Sequence, residues 1–181
     1  MNLRIFYREA LLVMAVSTLA ACGNSPSDST AATSTATQPA PAATAPASAL
    51  PANYLADAKP GGHCSLDVIN GAIAVEGKPT EVKSSAPMLT GGWVVETSLH
   101  TPQAFTLVLK GEAAYGVDGH TDHSRPDVSK SLGSDTADQS GFDINADISK
   151  IPAGTYKVFV VLKDGSETEV CDFVREVKIG S

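Results

Sequence analysis

The side chains best suited to chemistry sit together in one short stretch, Asp118-Gly119-His120-Thr121-Asp122-His123-Ser124-Arg125-Pro126-Asp127. Imidazole and carboxylate groups so close suit Zn, Cu or Ni. If the stretch is extended, Asp118, His120 and Asp122 face one side and His123 completes the set. The spacing matches no zinc signature. An EF-hand is excluded, because His123 stands where the loop needs glycine and Ser129 where it needs the closing glutamate. The plainer reading is a polar loop that solvates one end of a fold. Arg125 and Asp127 flank Pro126 and are placed to fix that loop through an ion pair or backbone hydrogen bonds. The rival role for Arg125 is recognition of a carboxylate or phosphate. Trp93, the sole tryptophan, is expected to pack between sheets. Its alternative is a sugar-contacting platform, with Tyr115 and Tyr156 as companions.

Catalytic signatures are missing. The chain has no Gly-x-Ser-x-Gly, no His-Glu-x-x-His, no Cys-x-x-Cys and no phosphate-cradling glycine loop. The expectation is a non-catalytic protein with no cofactor. Its candidate binding loop comprises Asp118, His120, Asp122, His123, Arg125 and Asp127, and its candidate aromatic contact is Trp93. The alternative is a metal-binding protein using Asp118, His120, Asp122 and His123.

The elements that must position these residues lie between Gly61 and Ser181, where the apolar period is two. Phe142–Ile148 alternates strictly. Pro152-Ala153-Gly154 turns the chain into Thr155–Leu162, whose middle is apolar on both faces, as in a central strand. Asp164-Gly165 is a hairpin turn signal that returns the chain as Glu169–Ile179. Earlier strands are predicted at Cys64–Ile69, Ile73–Val75, Thr80–Lys83, Trp93–Ser98 and Ala104–Lys110, with a weaker one at Glu112–Val117. Pro126–Leu132 reads as a turn or two of helix with Pro126 first. The fold class is all-β, an immunoglobulin-like antiparallel β-sandwich of about seven or eight strands.

Strand phase also pairs two cysteines. Cys64, Leu66 and Val68 share one face of the first strand. Cys171, Phe173, Val177 and Ile179 share one face of the last, with Arg175 the exception. Both sulfurs therefore point inward, and a Cys64–Cys171 disulfide is expected, closing a loop of about 107 residues.

Several short motifs resemble a family. Leu66-Asp67-Val68-Ile69-Asn70-Gly71, Gly92-Trp93-Val94-Val95-Glu96, Arg125-Pro126-Asp127-Val128, Ser140-Gly141-Phe142 and Ile151-Pro152-Ala153-Gly154-Thr155-Tyr156 occur in that order. They look like the small β-sandwich domains of bacterial exported proteins, some found beside surface-polysaccharide glycosyltransferases. The resemblance implies a fold and an accessory module, and brings no catalytic residue with it.

Before Gly61 the composition changes. Met1–Ala21 has the layout of a secretory signal, with Arg4 and Arg8 ahead of an apolar run of about a dozen residues, too short to span a bilayer. Leu19-Ala20-Ala21-Cys22 resembles the lipobox of bacterial lipoproteins. That resemblance implies lipidation of Cys22 and cleavage before it, and hence an anchor in the cell envelope. Gly23 rather than aspartate after the cysteine favours the outer membrane. Residues 22–60, rich in Ala, Thr, Ser and Pro, are expected to be a disordered tether that reaches about 120 Å if drawn out as polyproline II.

The full chain carries 13 basic and 20 acidic residues, a net charge of −7. Residues 1–21 contain Arg4, Arg8 and Glu9, so the remainder has 11 basic and 19 acidic residues, net −8. Such acidity argues against nucleic acid. The expected partners are the membrane, through the anchor at Cys22, and an envelope glycan or another envelope protein.

Overall fold

Alternation in Phe142–Ile148 sends Phe142, Ile144, Ala146 and Ile148 inward, and all four are buried. The same logic, repeated along the chain, builds two sheets around one core in the computed structural model, which describes residues 43–181. The signal at 1–21, the lipidation site Cys22 and the first part of the tether, to residue 42, lie outside the described residues. In chain order the strands are β1 (Ala45–Pro46), β2 (Ser48–Ala49), β3 (Lys59–Pro60), β4 (His63–Ile69), β5 (Ala72–Ile73) and β6 (Thr80–Lys83). They continue as β7 (Met88–Val95), β8 (Ala104–Lys110) and β9 (Ala114–His120), followed by helix α1 (Pro126–Leu132) and a 3₁₀ turn at Asp135–Ala137. The last three are β10 (Gly141–Asp147), β11 (Gly154–Asp164) and β12 (Glu167–Gly180).

The first sheet has the order β1-β10-β7-β4-β5, and the second β2-β9-β8-β11-β12-β3 with β6 also on β12. The fold is an all-β sandwich. Its long strands pair antiparallel, except that β6 runs parallel to β12, as the short β1 and β3 do to β10 and β12. Between the sheets, Phe142 meets Phe105 edge-on at 5.0 Å and Phe173 at 6.3 Å. Cys64 on β4 is bonded to Cys171 on β12 with Cα atoms 6.3 Å apart, so the bridge joins one sheet to the other.

Bulges adjust the phase of the two strands that carry the cysteines. In β4, Leu66 stands opposite Gly92 and Val68 opposite Gly91, leaving Asp67 as an extra residue. The bulge reverses the alternation. Ile69 takes the core position, and Val68, expected inside, is 36% exposed. In β12, Asp172 and Arg175 face consecutive residues Phe159 and Val158, so Phe173 and Val174 are both extra. Two extra residues preserve the phase, and Phe173, Val177 and Ile179 stay in the core. Arg175 leaves the apolar set by donating its Nε–H to the Ala74 carbonyl at 3.1 Å.

Residues 43–60 correct the expected tether. They are ordered on the sandwich and form a strap. β1 pairs with β10 of the first sheet and β2 with β9 of the second, closing one edge of the sandwich. The chain then crosses the outer face of the second sheet, and β3 pairs with β12 on its far side. Leu50, Tyr54 and Leu55 pack on Val108, Ala114 and Val161, together with Phe159 and Val170. Half-burying such a side chain is worth about 1 kcal/mol. This cover explains why β11 is apolar on both faces.

Candidate functional site

The predicted binding loop is not one loop. Its first part belongs to β9, which runs to His120 rather than stopping at Val117. Alternation along β9 turns Tyr115 and Val117 toward the core and Asp118 and His120 to the outer face. Gly119 points inward, where a Cβ would come within 2.5 Å of the Phe105 ring. Asp118 and His120 thereby enter the wall of a cleft of about 490 Å³ beside the strap. The strap contributes Tyr54, Asp57 and Ala58, while β11 and β12 add Lys163 and Thr168. Phe105, Val161 and Leu162 border the cleft but are themselves buried. Tyr54 donates its hydroxyl to Thr106 Oγ1 at 3.3 Å, fixing the strap wall to β8. His120 Nδ1 lies 3.3 Å from the Gln103 carbonyl, and Thr121 donates to the Pro102 carbonyl. The end of β9 is thus pinned to the chain entering β8.

The second part of the predicted loop crosses to the other sheet. The backbone N–H groups of Asp122 and His123 donate to the Gly141 carbonyl at 3.0 and 3.2 Å. His123 Nε2 lies 3.0 Å from Asp122 Oδ1 and 3.6 Å from Asp143 Oδ2, all on exposed side chains. Asp118 and His120 therefore face outward on one sheet, and His123 sits over the other. The four residues do not form the single metal set that the extended reading required. Among the described residues, no group of three or more His, Cys, Asp or Glu side chains is arranged to hold a metal ion.

Arg125 is a clamp. Its Nε and Nη2 donate to the two carboxylate oxygens of Asp127 at 2.9 and 2.8 Å, and Nη1 donates to Asp67 at 2.9 Å. Asp67, the bulge residue of β4, also accepts the Ser65 hydroxyl at 2.7 Å. The bond from Arg125 holds the Asp127 carboxyl down to about 2, and the same bond pushes the guanidinium further up. With its fork already engaged, Arg125 serves the internal role rather than anion recognition. It borders a depression of about 300 Å³ over Gly91 and Gly92, with His123 and Asp143.

Trp93 corrects another expectation. Its neighbour Val94 takes the core position, and Trp93 projects from the outer face of the first sheet. There it packs with Val95, Val128, Leu132 and Ala137 beneath α1. It is neither between the sheets nor a bare platform. Tyr156 is buried, its hydroxyl donating to the Pro152 carbonyl at 2.8 Å, and burial raises its pKa.

Sequence reasoning missed Tyr54, Asp57, Lys163 and Thr168. The available signal was the pair Tyr54 and Leu55, bulky side chains in an otherwise small-residue stretch. A second polar cluster was also missed. Glu169, buried on β12, accepts the Thr97 N–H at 3.1 Å, and Gly62 donates its N–H to Thr97 Oγ1 at 2.8 Å. Burial raises the nearby Glu96 pKa against the opposing Ser98 hydrogen bond, with Asp164 adding to the rise. Among the described residues, no helix is long and apolar enough to cross a membrane. No protein-family model, no curated protein and no solved structure matches this chain.

Proposed function

We propose that this chain is a lipid-anchored recognition module of the bacterial envelope that binds a glycan in the cleft between the strap and the second sheet. The observation that carries the reading is the convergence of Asp57, Asp118, His120, Lys163 and Thr168 on one cleft of about 490 Å³. That volume lies within the range of small-molecule sites, and the mix of donors and acceptors suits a hydroxyl- and amide-bearing sugar. Anchoring rests on Leu19-Ala20-Ala21-Cys22 and its resemblance to a lipobox, with the outer membrane favoured by Gly23. Two or more acyl chains at Cys22 would hold the protein firmly. The acidic surface keeps the module off nucleic acid and anionic headgroups.

The test measures melting temperature with soluble envelope glycans, beginning with the disaccharide of N-acetylglucosamine and N-acetylmuramic acid. A rise that disappears in His120→Ala and Lys163→Ala supports the reading. No rise with any glycan, or a rise untouched by either variant, overturns it. A rise with Zn²⁺ or Cu²⁺ and none with a glycan overturns it as well. For the anchor, Cys22→Ser should shift the protein from the detergent to the aqueous phase.

A further inference from the structure

The cleft has walls of different origin. One is built from strands within the Cys64–Cys171 bridge, and the other is the strap, which precedes it. The strap is held by three two-residue ladders, by Leu50, Tyr54 and Leu55, and by a Lys59–Glu167 ion pair at 2.5 Å on exposed side chains. Short ladders and half-buried anchors mark a segment that opens separately from the core. At its C-terminal end stand Gly61 and Gly62, with Gly62 at φ +76, a backbone state open to glycine at no steric cost. The segment thus has a natural pivot where it meets β4.

We infer that docking of the strap and occupancy of the cleft are one linked equilibrium, so that the strap regulates ligand binding. This rests on the reading of the cleft as a ligand site. A ligand touching Tyr54, Asp57 and Ala58 together with Asp118, His120 and Lys163 binds only the docked state. Binding then stabilises docking, and undocking releases the ligand. Any change that lowers the docked fraction raises the apparent dissociation constant by the same factor, without touching a ligand-contacting residue.

Amide hydrogen exchange on the full-length protein tests this, with the N-acetylglucosamine–N-acetylmuramic acid disaccharide as probe. Three amides report the strap and its pivot: Ala47, which donates to Asp147; Leu50, which donates to Ala114; and Gly61, which donates to Val170. Val94, which donates to Ser140 across the first sheet, reports the core. At probe concentrations 100 times the dissociation constant, the three reporter amides and Val94 should all slow, by about 100-fold. Slowing at Val94 alone overturns the linkage and leaves the cleft as a ligand site. Slowing at none of the four overturns both. Leu50→Ala/Leu55→Ala alters the strap outside the cleft lining and should weaken probe binding tenfold or more with the sandwich intact by circular dichroism. Unchanged affinity in that variant, with exchange at Leu50 as fast as in an unstructured chain and the strap therefore mostly undocked, also overturns the linkage.

Discussion

Arg125 Nη1 lies 2.9 Å from Asp67 Oδ2 across 58 residues of sequence. The contact fastens the start of α1 to the bulge of β4, while the fork onto Asp127 fixes the first turn of the same helix. Lysine keeps the charge but has no planar fork, so it cannot reproduce the paired bonds to Asp127 together with the bond to Asp67. Arg125→Lys should cost about 1 kcal/mol, the value for a charged hydrogen bond discounted for partial exposure. Denaturant unfolding measures it, and Trp93 fluorescence should report loosening of α1 above it.

The same pair predicts a pH dependence. The folded Asp127 carboxyl is lowered to about 2 from an ordinary 3.8. A depressed carboxyl contributes stability that is fully present above the ordinary value and is lost as pH falls through the folded one. Between pH 3.8 and about 2 the contribution of Asp127 should therefore decline. Carboxyl NMR titration should place the Asp127 midpoint near 2, and Arg125→Ala should return it toward 3.8.

Gly92 allows two backbones to approach. A Cβ there would lie 2.1 Å from the Ser65 carbonyl oxygen, so the strand itself would have to move. Gly92→Ala should destabilise the fold by about 3 kcal/mol, the upper part of the range for overpacking. Gly71→Ala is the control, since nothing lies within 4 Å of its Cβ and only its φ of +76 opposes the change. That variant should cost about 1 kcal/mol. Chemical denaturation distinguishes the two.

The Cys64–Cys171 bridge spans a separation of 107 residues. Chain entropy assigns such a closure about 4–5 kcal/mol as an upper value. Cys64→Ser/Cys171→Ser should lower stability by up to that amount, seen as a lower urea midpoint. Treatment with a reductant should lower the wild-type midpoint likewise and leave the double variant unmoved.

Much of the sandwich could be read from alternation alone. Thr80–Lys83, Ala104–Lys110 and Pro126–Leu132 appear at the expected boundaries. The cysteine pairing followed from strand phase as well. Phase failed at Val68, because a bulge one residue earlier reverses every later side chain in β4. It failed at Trp93 because β7 is apolar on both faces, with Val94 in the main core and Val95 under α1. Composition failed at the strap. Alanine, proline and serine look like tether, yet short edge ladders need only backbone groups, and three bulky side chains suffice to cover the second sheet. The candidate loop stands out in the sequence by its residue types alone. Its division between two faces depended on where β9 ends, which a polar sequence does not mark.

The bridge also determines how the molecule carries a mechanical load. Tension applied at residue 43 and at the C-terminus enters the covalent loop at Cys64 and leaves it at Cys171. The bond between them is a bypass, and everything from residue 65 to residue 170 lies off the line of force. Stretching the oxidised protein lengthens only the segments outside that loop, by about 3.5 Å for each residue pulled straight. Reduction would bring the entire sandwich under load, and the same pull would unravel it.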